Sequence, residues 1–224
     1  MLTSLLLLAT LATAAPKKAP AARPQAPHAV AAAPARTAPA PNPKVILDTV
    51  EGPIVLRLFP ADAPLTVANF LKLVREHFYD GLTFHRVVPG FVIQGGDPNS
   101  IDDNPFNDGQ GSPGYTVPAE IKRRHTKGAV AMARMPDVIN PKRESNGSQF
   151  YIALQDLTQL DGGYTVFGEV VSGWDTIDRI VALADRKDIA RQNENANPGK
   201  LAQILRARID STTTSSRPDS VTTR

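Results

Sequence analysis

Apolar positions along this chain recur with two different periods, and each change of period marks an element. In Pro53–Phe59, Ile54, Leu56 and Leu58 alternate with Val55, Arg57 and Phe59, the period of a strand with one buried face. Lys44–Thr49 reads the same way, and Glu51-Gly52 between the two runs predicts a tight hairpin. Pro60–Pro64 breaks the chain. The period then lengthens over Val67–Phe78, where Phe70, Leu71, Val74 and Phe78 form the apolar face of a helix, with Thr66 as its N-cap. Thr83–Pro98, TFHRVVPGFVIQGGDP, reads as two short strands, Phe84–Val88 and Phe91–Gly95, hinged at the turn dipeptide Pro89-Gly90. Further strand runs are Ala129–Ala133, Asn146–Leu154, Tyr164–Val171 and Leu201–Ile209. Gly173–Leu183 is a second helix with Ile177, Ile180 and Val181 inward. Eight strands and two helices predict a mainly β protein, a closed eight-stranded antiparallel β-barrel capped by two α-helices. A barrel of that strand count fills its own interior with side chains, so a site must lie on its outer wall.

The polar stretches between these elements limit the chemistry. Asp97, Asn99, Asp102, Asp103 and Asp108 offer oxygen ligands, but Ile101 stands where a calcium loop needs a third one, so no metal is expected. Lys122, Arg123, Arg124 and His125 read as a solvated basic loop. His85 alternates with Arg86 and should face the opposite, buried side. His77 and His125 have no nucleophile partner in the pattern, so a hydrolase triad is unsupported. Asn146-Gly147-Ser148 matches a glycosylation acceptor and reads here as a turn.

The ends differ in composition. Residues 1–14, MLTSLLLLATLATA, have the short apolar core and small-x-small end of a secretory signal peptide, too short for a spanning anchor. Residues 15–43 hold 12 Ala and 8 Pro, which predicts an extended, disordered linker. Residues 44–210 form the folded domain, and the Ser/Thr-rich residues 211–224 a disordered tail. Export to the periplasm or the medium is therefore expected, with no stable membrane insertion once the signal is cleaved. The net charge of +3 is concentrated at the ends, leaving residues 44–210 at −2, which does not support a nucleic-acid partner. With no cysteine, disulfides, thiol nucleophiles and zinc ribbons are excluded.

TFHRVVPGFVIQGGDP, together with GAVAMA (128–133), NGSQFYI (146–152) and LDGGYTVFGEVVSG (160–173), resembles the signature of the cyclophilins, the cyclosporin-binding class of peptidyl-prolyl cis-trans isomerases. The resemblance covers roughly Val45–Ile209, and Tyr151 and Tyr164 look like the bacterial, exported-like branch. It implies a cyclophilin-like barrel that acts as a monomer, without cofactor or metal, on proline-containing peptides and unfolded protein chains. It implies that Arg86 is the catalytic arginine, with Gln94 beside it. Phe91, Val92, Ala133, Gln149, Phe150, Tyr151, Leu160 and Tyr164 then fall at substrate-pocket positions, and Arg134 where the family's backbone binds the substrate chain. Val92 stands where many members have methionine, and Gln159 where sensitive members have the tryptophan that helps bind cyclosporin, which implies weakened drug binding.

Those residue types suit the rotation of an X-Pro bond. The barrier, about 18–20 kcal/mol, is the cost of breaking amide resonance. On Phe84–Val88 and Phe91–Gly95, Arg86 and Gln94 can project from one face beside Phe91, a fixed donor and an adaptable amide next to an apolar wall. The other reading of the same pocket is a non-catalytic module that holds proline-containing segments or acts as a chaperone.

Overall fold

The structure is a computed structural model that describes residues 42–102, 104–186, 189–192 and 195–211. The expected signal peptide lies wholly outside those residues, as do nearly all of the linker and tail. Among the described residues, ten strands form one antiparallel sheet: β1 (Lys44–Thr49), β2 (Gly52–Leu58), β3 (Arg86–Val88), β4 (Val92–Gly95), β5 (Ala129–Met132), β6 (Phe150–Ala153), β7 (Val166–Ser172), β8 (Ala190–Gln192), β9 (Asn195–Asn197) and β10 (Ile204–Ile209). Across the sheet they run β10-β1-β2-β7-β5-β6-β4-β3-β9-β8. Two helices, α1 (Pro64–Arg75) and α2 (Trp174–Ala182), pack against β10 and β2 respectively.

The expected closed eight-stranded barrel is corrected to an open sheet curled into a half-barrel. All eight strand runs form, but the free edge of β3 is taken at Val87 by β9, an element with no periodic signal of its own. Only the residues before β3 are left to meet β10. Gly81 N donates to Ile204 O (2.8 Å), Ile204 N to Leu82 O (2.7 Å) and Phe84 N to Ala202 O (3.0 Å). This seam holds one isolated bridge, Thr83–Gln203, and no strand ladder.

Helix α1 starts three residues earlier than the apolar spacing alone predicts, because Pro64 supplies a preformed helical φ at the first position. Thr66 is not the N-cap. It lies inside the first turn, and the amides of Leu65 and Thr66 donate instead to the Glu120 carboxylate (3.0 and 2.8 Å). The buried face of α1, Val67, Phe70, Leu73 and Val74, closes over the concave side of the sheet. There Phe70, Tyr79, Phe84, Phe150 and Phe167 form an aromatic core, each fully buried. Each such side chain contributes about 1.5–3 kcal/mol relative to exposure. The acidic loop after β4 is stapled internally: Asp97, fully buried, accepts from Asn99 N (2.9 Å) and from Gly109 N.

Candidate functional site

Strand alternation sorts this sheet into two apolar clusters. Val87, Ile93, Val130, Met132, Phe150 and Ile152 point into the main core. Their neighbours Val92, Ala129, Ala131, Tyr151, Ala153 and Val166 point the other way and, with Leu157, build a second, outer cluster. Phe91, Ala133, Leu160 and Tyr164 pack on that outer cluster. The hinge between β3 and β4 sets the register. Gly90 has φ +70°, the value required at the third position of a type II turn, and Phe91 N donates back to Val88 O (3.0 Å). Phe91 is left out of the ladder, so three residues connect the strands and Val88 pairs with Val92. Arg86 pairs with Gln94, Gln94 with Tyr151, and Tyr151 with Ala131, one rung across four strands.

Three members of that rung, Arg86, Gln94 and Tyr151, line a cavity of about 220 Å³ together with Phe91, Val92, Ala133, Arg134, Leu160 and Tyr164. The Arg86 guanidinium carbon lies 5.7 Å from the centre of the Phe91 ring. Its Nη1 donates to Gln94 Oε1 (3.4 Å), and Gln94 Nε2 donates to Gln149 Oε1 (2.9 Å). Gln149 Nε2 in turn donates to the carbonyls of Gly109 (3.0 Å) and Gly111 (2.8 Å). This relay of amides fixes which end of Gln94 faces the guanidinium. Burial pulls the Arg86 pKa below the usual arginine value, opposed by Tyr164, and an arginine so perturbed remains a cation at neutral pH. Larger hollows exist, about 310 Å³ beside Asp108 and Lys200 and about 880 Å³ beside Tyr115 and Met135. Among the described residues, the 220 Å³ cavity is the one that joins a half-buried guanidinium, an amide and three aromatic rings.

Nine of the eleven residues singled out from the sequence line this cavity. Gln149 does not; it is buried behind Gln94 and acts on the pocket through it. Phe150 does not either, which corrects its expected place in the pocket wall. It is fully buried in the main core, edge-on to Phe70 (5.6 Å), Tyr79 (5.8 Å) and Phe84 (6.1 Å). The reason is parity: Tyr151 faces outward, so its strand neighbour must face inward. Arg134 places its guanidinium 4.5 Å from the centre of the Tyr164 ring and is held by Gly163 O (2.7 Å) and Asp137 (2.5 Å). Asn146 forms a turn, its amide occupied by Gly111 O and by the amides of Ser148 and Gln149.

Two residues outside the expected site, His125 and Asp161, stand behind the wall, and the expected solvated place of His125 is corrected. His125 is not solvated like Arg123 and Arg124 beside it; it is 1% exposed. Its ring lies between Asp161 (Nδ1 to Oδ1, 3.1 Å) and the Tyr151 hydroxyl (Nε2 to O, 2.9 Å). No local pattern announces this, because its partners are 36 and 26 residues away.

Comparison with known proteins agrees with the geometry. Residues 44–209 match the family model described as cyclophilin type peptidyl-prolyl cis-trans isomerase. A peptidyl-prolyl cis-trans isomerase of Synechococcus elongatus is 46% identical over 127 residues, 56% of this chain and 79% of that protein. Peptidyl-prolyl cis-trans isomerase B of Bacillus subtilis is 46% identical over 123 residues, 54% of this chain and 77% of that one. Among solved structures, a cyclophilin type isomerase of Cryptosporidium parvum superposes with a TM-score of 0.63 at 28% identity, over 76% of this chain and 98% of that one. A second structure of it, solved in the presence of the dipeptide Ala-Pro, gives a TM-score of 0.60 at 29% identity, over 75% of this chain and 99% of that one.

Proposed function

The chain belongs to the cyclophilin-type peptidyl-prolyl cis-trans isomerases, and from that premise we propose that it speeds X-Pro rotation in folding protein chains by the means its own pocket offers. The proline ring enters the apolar cavity between Phe91, Val92, Tyr151 and Leu160. No bond is cleaved. As the amide twists, resonance is lost, and the prolyl nitrogen becomes pyramidal and regains its lone pair. Arg86 donates to that lone pair. A donor that bonds the twisted amide better than the planar one lowers the barrier directly. Gln94 holds the guanidinium in place and can bond the substrate carbonyl. The backbone at Arg134 binds the substrate chain. The observation that carries this reading is the Arg86–Gln94 register, which sets a half-buried cation over an aromatic ring in the cavity's lining.

The test is exchange spectroscopy on a short X-Pro peptide. Substoichiometric protein should bring cis–trans exchange from tens of seconds into the range of turnovers per second or faster. Saturable binding of the peptide without faster exchange would refute isomerisation and leave a proline-binding module. Export to the periplasm or medium is part of the same proposal, supported by the apolar leader and the Ala/Pro-rich stretch after it. Among the described residues no helix is long and apolar enough to cross a membrane. N-terminal sequencing of the mature chain tests export, and an intact Met1 would refute signal cleavage. A monomer is proposed, to be checked by sedimentation.

A further inference from the structure

Tyr151 brings a hydroxyl to a pocket whose task, on the isomerase reading above, is to be dry. A phenol O–H buried beside a proline ring and left without a partner is a liability, because buried polar groups that lose water need another bond. Here the hydroxyl has one, 2.9 Å away at His125 Nε2. The direction of that bond follows from the other side of the imidazole. Asp161 Oδ1 lies 3.1 Å from His125 Nδ1 and also accepts the His125 backbone N–H at 2.7 Å. Those two bonds hold the Asp161 pKa below the usual carboxylate value, so this oxygen is an ionised acceptor. Nδ1 must therefore carry a proton, and in the neutral ring Nε2 is bare. The Tyr151 O–H then donates to Nε2, its hydrogen aimed away from the cavity.

The packing keeps this arrangement in place. The His125 side chain is fully buried and is not among the cavity's lining residues. It lies nearly parallel to the Tyr151 ring (6.0 Å between centres, 9° between planes). Tyr164 meets both rings edge-on, at 6.1 and 5.8 Å.

We propose that His125 and Asp161 are positioning residues of the proline pocket, which act through Tyr151 by turning its hydroxyl out of the cavity so that a tyrosine serves as an apolar wall. The proposal rests on the isomerase reading of that cavity, and its test has one arm that does not need turnover. In ¹⁵N-edited NMR of the wild type, His125 is expected to show a protonated Nδ1 and a bare, hydrogen-bonded Nε2; a protonated Nε2 would overturn the chain as drawn. The second arm compares His125→Leu with the double variant His125→Leu/Tyr151→Phe. An orphaned hydroxyl must seek water through the cavity, so His125→Leu should raise KM for an X-Pro peptide by about tenfold with kcat little changed. Removal of that hydroxyl in the double variant should bring KM back to within about threefold of wild type. Equal KM in wild type and His125→Leu, or no recovery in the double variant, refutes the positioning role. If the wild type has no isomerase activity, that reading fails by itself, and peptide affinity takes the place of KM in the same comparison. If His125→Leu does not fold, the NMR arm on the wild type decides.

Discussion

Removal of the Arg86 guanidinium should disable catalysis while barely touching the fold, and the structure sets both magnitudes. On the stability side, the contacts that Arg86→Ala gives up include a long hydrogen bond, 3.4 Å to Gln94, and a cation–ring contact at 5.7 Å. The ring contact is worth about 0.5–1 kcal/mol at a site of this exposure. Against that stands the burial of the charge, which already depresses the guanidinium's pKa and is relieved by the substitution. The two effects nearly offset, so the urea midpoint should move by no more than about 1 kcal/mol equivalent. On the catalytic side, loss of a preorganised donor to developing charge costs roughly 10²–10³ in rate, about 2.7–4 kcal/mol. Arg86→Lys keeps the charge but not the planar fork, and one ammonium cannot hold Gln94 and reach the prolyl nitrogen together. It should fall between alanine and wild type. The assay is the initial rate of cis-to-trans conversion of a chromogenic X-Pro peptide, with circular dichroism and a urea titration on the same samples. A natively folded Arg86→Ala protein with kcat/KM within threefold of wild type would falsify the assignment.

Phe91 and Phe150 should separate function from stability: Phe150→Ala empties a fully buried site and is expected to cost about 3–5 kcal/mol in denaturant titration. Phe91→Ala should instead raise KM with a far smaller stability change, and equal destabilisation of the two variants would contradict the two-face reading. Burial lowers the His85 pKa to about 4, an effect to which Arg86 adds and which Asp97 opposes. The unfolded chain therefore takes up the proton first, so His85 contributes stability that is present above about pH 6.5 and lost as pH falls toward 4, up to about 3 kcal/mol. His85→Asn should flatten that part of the stability profile, and unchanged slopes would rule His85 out as its source. Gly96, at φ +85°, would place an added Cβ 2.5 Å from Ser148 O. Gly96→Ala should thus cost more than the ~1 kcal/mol of an ordinary glycine replacement and shift Gln149 resonances in NMR. A melting temperature equal to wild type would show that β4 and the 146–149 turn are not in fixed contact.

The parts of the site that local pattern could reveal were those set by short-range geometry. Pro89-Gly90 announces a turn, and it suggests that Arg86 and Gln94 share one face. The register that sets them directly opposite depends on Phe91 joining the connection as a third residue, which the dipeptide alone does not reveal. Parity along β6 should also have excluded Phe150, since Gln149, Phe150 and Tyr151 cannot all face one pocket; family resemblance by position carried it there against the period of the strand. What pattern could not show is long-range. His125 sits in a basic run whose other members are exposed, and its burial depends on Tyr151 and Asp161 arriving from distant segments. The seam at Thr83–Gln203 and the added strands β8 and β9 depend likewise on how the ends of the sheet meet. Short polar segments carry no period from which to foresee such meetings.

Val92, Ile93 and Gln94 form a stretch in which every other side chain belongs to the core and the rest to the pocket. Such a stretch cannot detach to admit a client without also exposing the interior. Local opening near the cavity should therefore be nearly as rare as complete unfolding, with amide protons of Ile93, Gln94 and Ile152 among the slowest to exchange with deuterium. Whatever mobility catalysis needs must therefore come from outside the strand, and not from the strand itself.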